Sequence, residues 1–519
     1  MKSKKYNLPQ WILPVLILVL VAFVTIGSSP LFLTNSWVDS NAMLTMGKSM
    51  LHGLVPYRDM IDQRGPLLYA LFGLGSTIKD DSFLGVFCLQ VINVLIIYYL
   101  SFRIAQDAKI KLITPQWAGL LGPLALISTS AFNLSGSPEE FAFTSVLYLL
   151  YVLNHYRQDV SQITLTSYFF LGLNVSIIFW NKFSLLGSYG MFFLWVVGSM
   201  LFQKKFKQLF KILVVSLAGF LSVTFFVAIY FIGRNALNDL IQIYFVQNLT
   251  DYGNTHQSEL MKIWNLFFNM GQELRGHFIV ALLIVAGWLK ALYEKKNVAA
   301  EILMFFGAIL FVSMQHLLND YYNLIWMPFL VVALMRLVQF KVPKLDFENR
   351  HLFRAINILL VGSLFILPFV NNNLYLSKLV LQGEHESFND EQYQAQPKFA
   401  KIMKQTNQHP TLLMANCLDE GFYLAANTLP STRYWQRLNM TYKQLPKMYH
   451  YFAKVMDQRK VDFIIVKLDS MPEKSKNLLQ GQVSDAVEKH IAKPLLKNYR
   501  IRSVAHNNTN ESYVLLEKK

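Results

Sequence analysis

The stretch NSWVDSNAMLTMGKSMLHGLVPYRDMIDQRGPLLY, Asn35–Tyr69, packs Asp39, Lys48, His52, Arg58, Asp59, Asp62 and Arg64 directly behind one of the most apolar runs of the chain. Charge that begins where hydrocarbon ends is the pattern of a loop leaving a membrane span. The surrounding composition agrees. Of 519 residues, 53% are hydrophobic and 15% charged, where a soluble protein carries about a quarter charged residues. Nearly charge-free segments of about 17–22 residues recur, the length that crosses about 30 Å of hydrocarbon as a helix. The sequence therefore predicts a polytopic α-helical membrane protein.

Spans are expected near 12–33, 83–103, 117–132, 141–156, 163–180, 184–203, 211–232, 276–293, 298–316, 321–339 and 355–372, about eleven in all. The first, flanked by Lys2, Lys4 and Lys5, is too long for a signal-peptide core and lacks a small-residue cleavage site. With the N-terminus cytoplasmic, the inner loops hold Arg103, Lys109, Lys111, Arg157, Lys204, Lys205, Lys207, Lys211, Lys290, Lys295, Lys296, Arg336, Lys341, Lys344, Arg350 and Arg354. The outer loops hold fewer basic residues and more acids, which is the positive-inside pattern. That orientation puts the first loop, 34–82, and everything after 373 outside. The run 66–78 is too short to span and is expected to lie in the outer interface, with Pro66 in its first turn.

After 373 the long apolar runs stop. TLLMAN (411–416), VDFIIVKL (461–468), YRIRSVAH (499–506) and SYVLLEK (512–518) have strand character, and 441–459 and 475–496 helical character. The expected domains are thus a membrane domain, 1–372, and a C-terminal extracytoplasmic α/β domain, 373–519. Most of the Lys and Arg of the membrane part sit in short loops between spans, so the net charge of +16 does not point to nucleic acid. The two cysteines, Cys88 and Cys417, are too few for a disulfide scaffold.

Asp39 reads locally as a helix-capping acid, since DSNAMLTMGKSML has helical periodicity. A carboxylate at the headgroup level also needs water, cations or a partner to stay charged. Arg58 and Arg64 read as residues that snorkel to headgroups or contact phosphate. Asp59 and Asp62 stand ready to pair with them. In NLSGSPEEF (133–141), Glu139 and Glu140 open a helix, where the helix dipole favours acids. Lys182 is the basic residue of the turn FWNKFS, and QHLLNDYYNLIWMP (315–328) carries His316, Tyr321 and Tyr322, which also suit an aromatic belt. Walker A, dinucleotide and zinc-protease motifs are absent.

A long first outer loop with an acid just after the first span, followed by GLVPYRDMIDQRGPLLY, resembles the GT-C superfamily of integral membrane glycosyltransferases. The likeness is to the bacterial branch related to protein O-mannosyltransferases and the lipid A aminoarabinose transferase. It covers roughly 10–372 and is most specific over 37–69. It implies an inverting transferase that moves a sugar from a polyprenyl-phosphate donor to a cell-envelope acceptor outside the membrane. That acceptor is a teichoic acid, wall polysaccharide, glycolipid or protein. By position, the resemblance makes Asp39 the essential acid and adds one of Glu139 or Glu140 as a second. It assigns Arg64, Arg58, Lys182, His316 and Tyr322 to the donor phosphate. No cofactor is certain; a divalent metal stays open, and VDSN in place of D-x-D weakens the case for a metal-bound sugar nucleotide. The competing readings are a flippase or transporter of lipid-linked glycans and a glycan polymerase. The first needs charge deep within spans, and the second a long outer loop rich in Arg and His, which 233–275 is not.

Overall fold

In the computed structural model the first apolar run is helical only over Ile12–Thr25, eight residues short of the expected end. Gly27, Ser28, Ser29 and Pro30 follow. Glycine is a poor helix former, serine competes for backbone hydrogen bonds, and proline removes a donor while disfavouring the α-conformation in the residue before it. The structure describes residues 9–32, 35, 37–110, 112–132, 135–252, 258–315, 319–339, 350–370, 395–507 and 511–519.

Among these, Leu84–Asp107 and Phe206–Gly233 are each long and apolar enough to cross a membrane. The latter exposes Phe206, Phe210, Leu217, Leu221, Phe225, Phe226 and Ile229, a surface suited to lipid rather than water. Two bent pairs add up to two further spans: Leu165–Leu185 with Gly187–Phe202, bent by 118°, and Leu260–Gly276 with Phe278–Tyr293, bent by 90°. Shorter apolar helices are Ile12–Thr25, Pro66–Ser76, Ala299–Ser313, Pro328–Val338 and Arg354–Val370. About eleven long crossings are therefore not seen as such. The expected span 117–132 is broken into Pro115–Ala118, Leu121–Ile127 and a 3-10 turn, Ser130–Phe132. The expected loop 233–275 is largely helical, with a rare π-helical stretch at Ile241–Tyr252 and an amphipathic helix at Glu259–Gly276.

The chain divides into two units. The first takes in 1–26, 89–226 and 257–376 and holds no strand among its described residues. Small residues let its helices touch: a Cβ on Gly187 would stand 2.0 Å from the Gly307 carbonyl oxygen. The spans are not free of charge, as the sequence suggested. Glu301 and Arg336 are both buried and bind each other through two hydrogen bonds, of 2.9 and 2.7 Å.

The second unit takes in 27–88, 227–256 and 377–519. Helix Val38–Leu51 lies against helix Pro66–Ser76 so closely that a Cβ on Gly47 would stand 2.4 Å from the Gly73 amide nitrogen. As the sequence predicts, Pro66 occupies the first turn, after an extended Gly65. The C-terminal residues form the four expected strands: β1 (Leu412–Met414), β2 (Phe463–Leu468), β3 (Tyr499–His506) and β4 (Ser512–Lys518). Their spatial order is β1-β2-β4-β3. β1 and β2 are parallel, so they need a crossover, and helix Pro446–Asp457 lies in it. β4 runs antiparallel to both neighbours. Phe463–Val466 and Tyr513–Leu516 are buried throughout, so both faces of the sheet are covered. The expected helix 475–496 is two, Lys476–Ala486 and Lys489–Asn498, because Glu488 caps the second with its side chain.

The segment after β1 grips the first loop. Thr45 donates its hydroxyl to Asp419 at 2.6 Å, Lys48 binds the Asn427 side-chain oxygen at 2.5 Å, and the Ile61 amide donates to the Arg433 carbonyl at 2.8 Å. Burial pushes the Asp419 carboxyl up to about 6, against hydrogen bonds from Thr45 and from backbone amides. Burial likewise raises Glu420 to about 7. A carboxyl whose folded pKa exceeds its unfolded one takes up its proton on folding. Its contribution to stability therefore grows as pH falls through the folded value and is lost again as pH rises. The thermal unfolding midpoint in detergent is expected to rise between pH 7.5 and pH 5. Asp419→Asn should remove its share of that rise, on the order of 1 kcal/mol over this window. A midpoint that falls steadily on acidification contradicts the assignment.

Candidate active site

Asp39 sits in the first turn of helix Val38–Leu51, but it does not cap it. Trp37 is the cap residue, and its side chain makes no capping hydrogen bond. The Asp39 carboxylate instead meets the Arg64 guanidinium, with both side chains largely buried, at 14% and 12% exposure. Arg64 binds a second acid on its other arm. Its Nη1 donates to both oxygens of Asp62, at 2.9 and 2.8 Å, and its amide donates to Asp62 Oδ1 at 3.1 Å. Asp62 is fully buried and also accepts the Tyr69 hydroxyl at 2.6 Å. Burial opposes the charge on Arg64, but Asp39 and Asp62 outweigh it and hold its pKa well above the ordinary value. The result is one guanidinium fixed between two carboxylates, Asp39 on helix Val38–Leu51 and Asp62 in the loop that leads into helix Pro66–Ser76.

The loop that delivers Arg64 is constrained. Tyr57 adopts φ 70°, a conformation rare for a bulky residue and kept only where surroundings enforce it. Here its hydroxyl donates to the Arg64 carbonyl at 2.6 Å, its amide donates to the Met60 carbonyl at 2.7 Å, and its ring packs on Tyr69, Phe231 and Tyr244. Arg58 does not join Arg64. It forks onto Asp59 at 2.9 and 2.8 Å and donates to the Arg234 carbonyl at 2.6 Å. The hydrogen bond from Arg58 holds the Asp59 carboxyl below its ordinary range.

In the other unit, the two glutamates that open helix Pro138–His155 separate in role. Ser137 caps the helix by accepting from the Glu140 amide at 3.1 Å. Glu140 reaches back to the Gly136 amide at 2.5 Å and accepts from Gln90 at 3.3 and 3.1 Å. That is the reciprocal logic of a capping box, displaced by one residue. Glu139 instead binds Lys182 at 2.6 Å, and the Lys182 ammonium lies 3.8 Å from the centre of the Tyr322 ring. Glu139, Lys182 and Tyr322 thus form one cluster. His316 lies outside the described residues.

The sequence did not single out a neighbouring polar network in the same unit. Asn323 donates to buried Glu273 at 2.5 Å and accepts from Trp326 at 2.7 Å, while His277 meets Asp320 at 2.7 Å. Asp320 and Asn323 stand inside the NDYYN run, so their spacing was visible; Glu273 and His277 carry no comparable signal. Among the described residues, no three His, Cys, Asp or Glu side chains stand together as a metal site.

No family model matches the chain, and no curated protein matches it. Solved structures do. ArnT from Cupriavidus metallidurans bound to undecaprenyl phosphate aligns with a TM-score of 0.58 at 12% identity, over 97% of this chain and 98% of that one. The fold is the GT-C membrane fold. ArnT from the same organism in the apo state gives a TM-score of 0.57 at 11% identity, over 97% of each chain. The match takes in nearly the whole chain, so the expected class, a helical GT-C-like membrane fold with a small C-terminal sheet, holds apart from the number of spans. What the two chains share at this identity is architecture; the side chains of the site are this protein's own.

Proposed function

We propose that the protein is an inverting glycosyltransferase, which moves a sugar from a polyprenyl-phosphate donor to a cell-envelope acceptor on the outer face of the membrane. The observation that carries this reading is Arg64, fixed between Asp39 and Asp62 in a chain with the fold of ArnT, which has been crystallised with undecaprenyl phosphate. A lipid phosphate needs a cation in a preorganised place. An attacking hydroxyl needs a carboxylate to take its proton.

In the proposed step the acceptor oxygen attacks the anomeric carbon and its proton passes to Asp39. The bond from that carbon to the phosphate oxygen breaks, and its electron pair leaves with the polyprenyl phosphate. Arg64 holds that phosphate. The resting Arg64–Asp39 pair fits this order: a phosphate that draws Arg64 toward itself frees Asp39 to act as base. Within the first unit Lys182 pairs with Glu139, whereas Glu140 is spent on its own helix end. Arg58 serves the loop. The N-terminus is cytoplasmic and the C-terminal domain, 373–519, extracytoplasmic, as the loop charges indicate.

The test is transfer by purified protein in lipid nanodiscs, from labelled undecaprenyl-phosphate sugars into envelope fractions. Inverted anomeric configuration is expected in the product. Arg64→Ala should raise the donor KM by about ten- to a hundredfold, the worth of a charge-assisted hydrogen bond. Retention of configuration, or transfer only from a nucleotide sugar, overturns the proposal.

A further inference from the structure

Gln436 belongs to the C-terminal domain, in the segment between helix Phe422–Ala426 and helix Pro446–Asp457. It is fully buried. Its Nε2 donates to Asp62 Oδ2 at 2.9 Å, and its Oε1 accepts from the Asp419 amide at 2.7 Å. Each end of the amide meets a partner that only that end can satisfy: the NH2 a carboxylate, the oxygen an N–H donor. The side chain is therefore fixed in orientation as well as place. The carboxylate it holds is the one that holds Arg64.

We infer that Gln436 is a positioning residue for Arg64, and that through it the C-terminal domain completes the donor-phosphate site. The inference rests on the transferase reading for what Arg64 does, and on the hydrogen-bond chain alone for how Arg64 is held. That chain runs from the Asp419 amide through Gln436 and Asp62 to the guanidinium that meets Asp39. Asp62 has two oxygens to bind the Arg64 arm and amide and the Tyr69 hydroxyl. The Gln436 bond sets the remaining direction on Oδ2 and stops the carboxylate rotating out of the plane of the guanidinium. A single guanidinium nitrogen that meets both oxygens of one carboxylate depends on that orientation being held. The same stretch of the C-terminal domain clasps the loop ahead of Arg64, at Tyr57 and Ile61. The Arg433 carbonyl accepts from the Ile61 amide at 2.8 Å, and the Arg433 guanidinium donates to the Tyr57 carbonyl at 3.1 Å and binds Asp239 at 2.7 Å. This gives the accessory domain a role at the reaction centre, which its distance in sequence conceals.

The test uses the full chain in nanodiscs and two variants. Gln436→Met keeps the length and volume of the side chain and removes both hydrogen bonds. It should weaken undecaprenyl-phosphate binding and raise the donor KM by about tenfold or more, with the acceptor KM changed less than about twofold. Gln436→Glu sets a second carboxylate against Asp62. At neutral pH two carboxylates in contact repel, whereas one shared proton restores a hydrogen bond between them. Donor binding by this variant should therefore be poorest at high pH and recover toward the wild-type value as pH is lowered. A residue that merely supported the fold would shift both substrates together and show no such recovery. Unaltered undecaprenyl-phosphate binding in both variants overturns the inference, as does a Gln436→Glu profile parallel to the wild type. If the wild type binds undecaprenyl phosphate but transfers no sugar, and Gln436→Met still weakens binding, the transferase reading fails while the positioning role stands. A wild type that binds no undecaprenyl phosphate overturns both.

Discussion

Asp39→Asn is expected to lower kcat by about 10²- to 10⁴-fold, the range that a positioned general base supplies, with donor KM changed far less. Asparagine keeps the size of the side chain and can still accept a hydrogen bond from Arg64, so folding and the loop geometry should survive. What it removes is the capacity to take a proton. The measurement distinguishes two roles that the resting structure leaves joined. Asp39 touches Arg64 directly, so the acid could serve only to aim the guanidinium. In that case the variant would lose donor affinity and keep its turnover at saturating donor. Loss of kcat with donor binding intact marks the base; a pure KM effect removes Asp39 from the chemical step and leaves Arg64 as the centre of the site. The buried setting of the pair favours the first outcome. In the proposed step the ion pair holds Asp39 in place until the donor arrives, and the phosphate supplies the competing charge that releases it.

How much of this was legible beforehand depends on the range of the interaction. The four C-terminal strands were readable because β-branched and apolar residues cluster in short runs between turns, a local signal. The pairing of Arg58 with Asp59 and of Arg64 with Asp62 was readable too, since the partners are adjacent or two residues apart. The split between Glu139 and Glu140 was not. It depends on Gln90 and Lys182, tens of residues away, and the sequence offers two adjacent acids with equal claims. Gln436 was invisible for the same reason, magnified: 374 positions separate it from Asp62, and a lone glutamine has no motif. The over-long first span failed on a different ground. Hydropathy measures solubility in lipid, and Phe32 and Leu33 score well there. The helix, however, is ended by backbone chemistry at Gly27–Pro30, which hydropathy does not register.

The buried pair Glu301–Arg336 escaped the sequence because each residue lies at a helix end, where a lone charge normally reads as a loop residue. Glu301 stands in the first turn of Ala299–Ser313 and Arg336 in the last turn of Pro328–Val338. Each also has the charge that its own helix dipole favours there. Glu301 further accepts from Trp288 at 2.8 Å and from Gln158 at 3.3 Å, and Arg336 donates to Asn154 at 3.0 Å. Trp288 belongs to helix Phe278–Tyr293 and Asn154 to Pro138–His155, so one ion pair ties four helices together. Arg336→Met is expected to destabilise the protein by about 3–5 kcal/mol, because it leaves the Glu301 carboxylate buried without its counter-charge. The readout is the unfolding midpoint and the monodisperse yield in detergent. The double variant Glu301→Met, Arg336→Met should recover most of the loss, since no charge is then stranded and the volume is filled. Helix Pro138–His155 carries Glu139 at its opposite end, about 25 Å away at 1.5 Å per residue, so the double variant should also keep its sugar transfer. If it folds well but has lost transfer, the pair acts on function directly. If Arg336→Met alone is as stable as the wild type, the four-helix tie is not what holds this unit together.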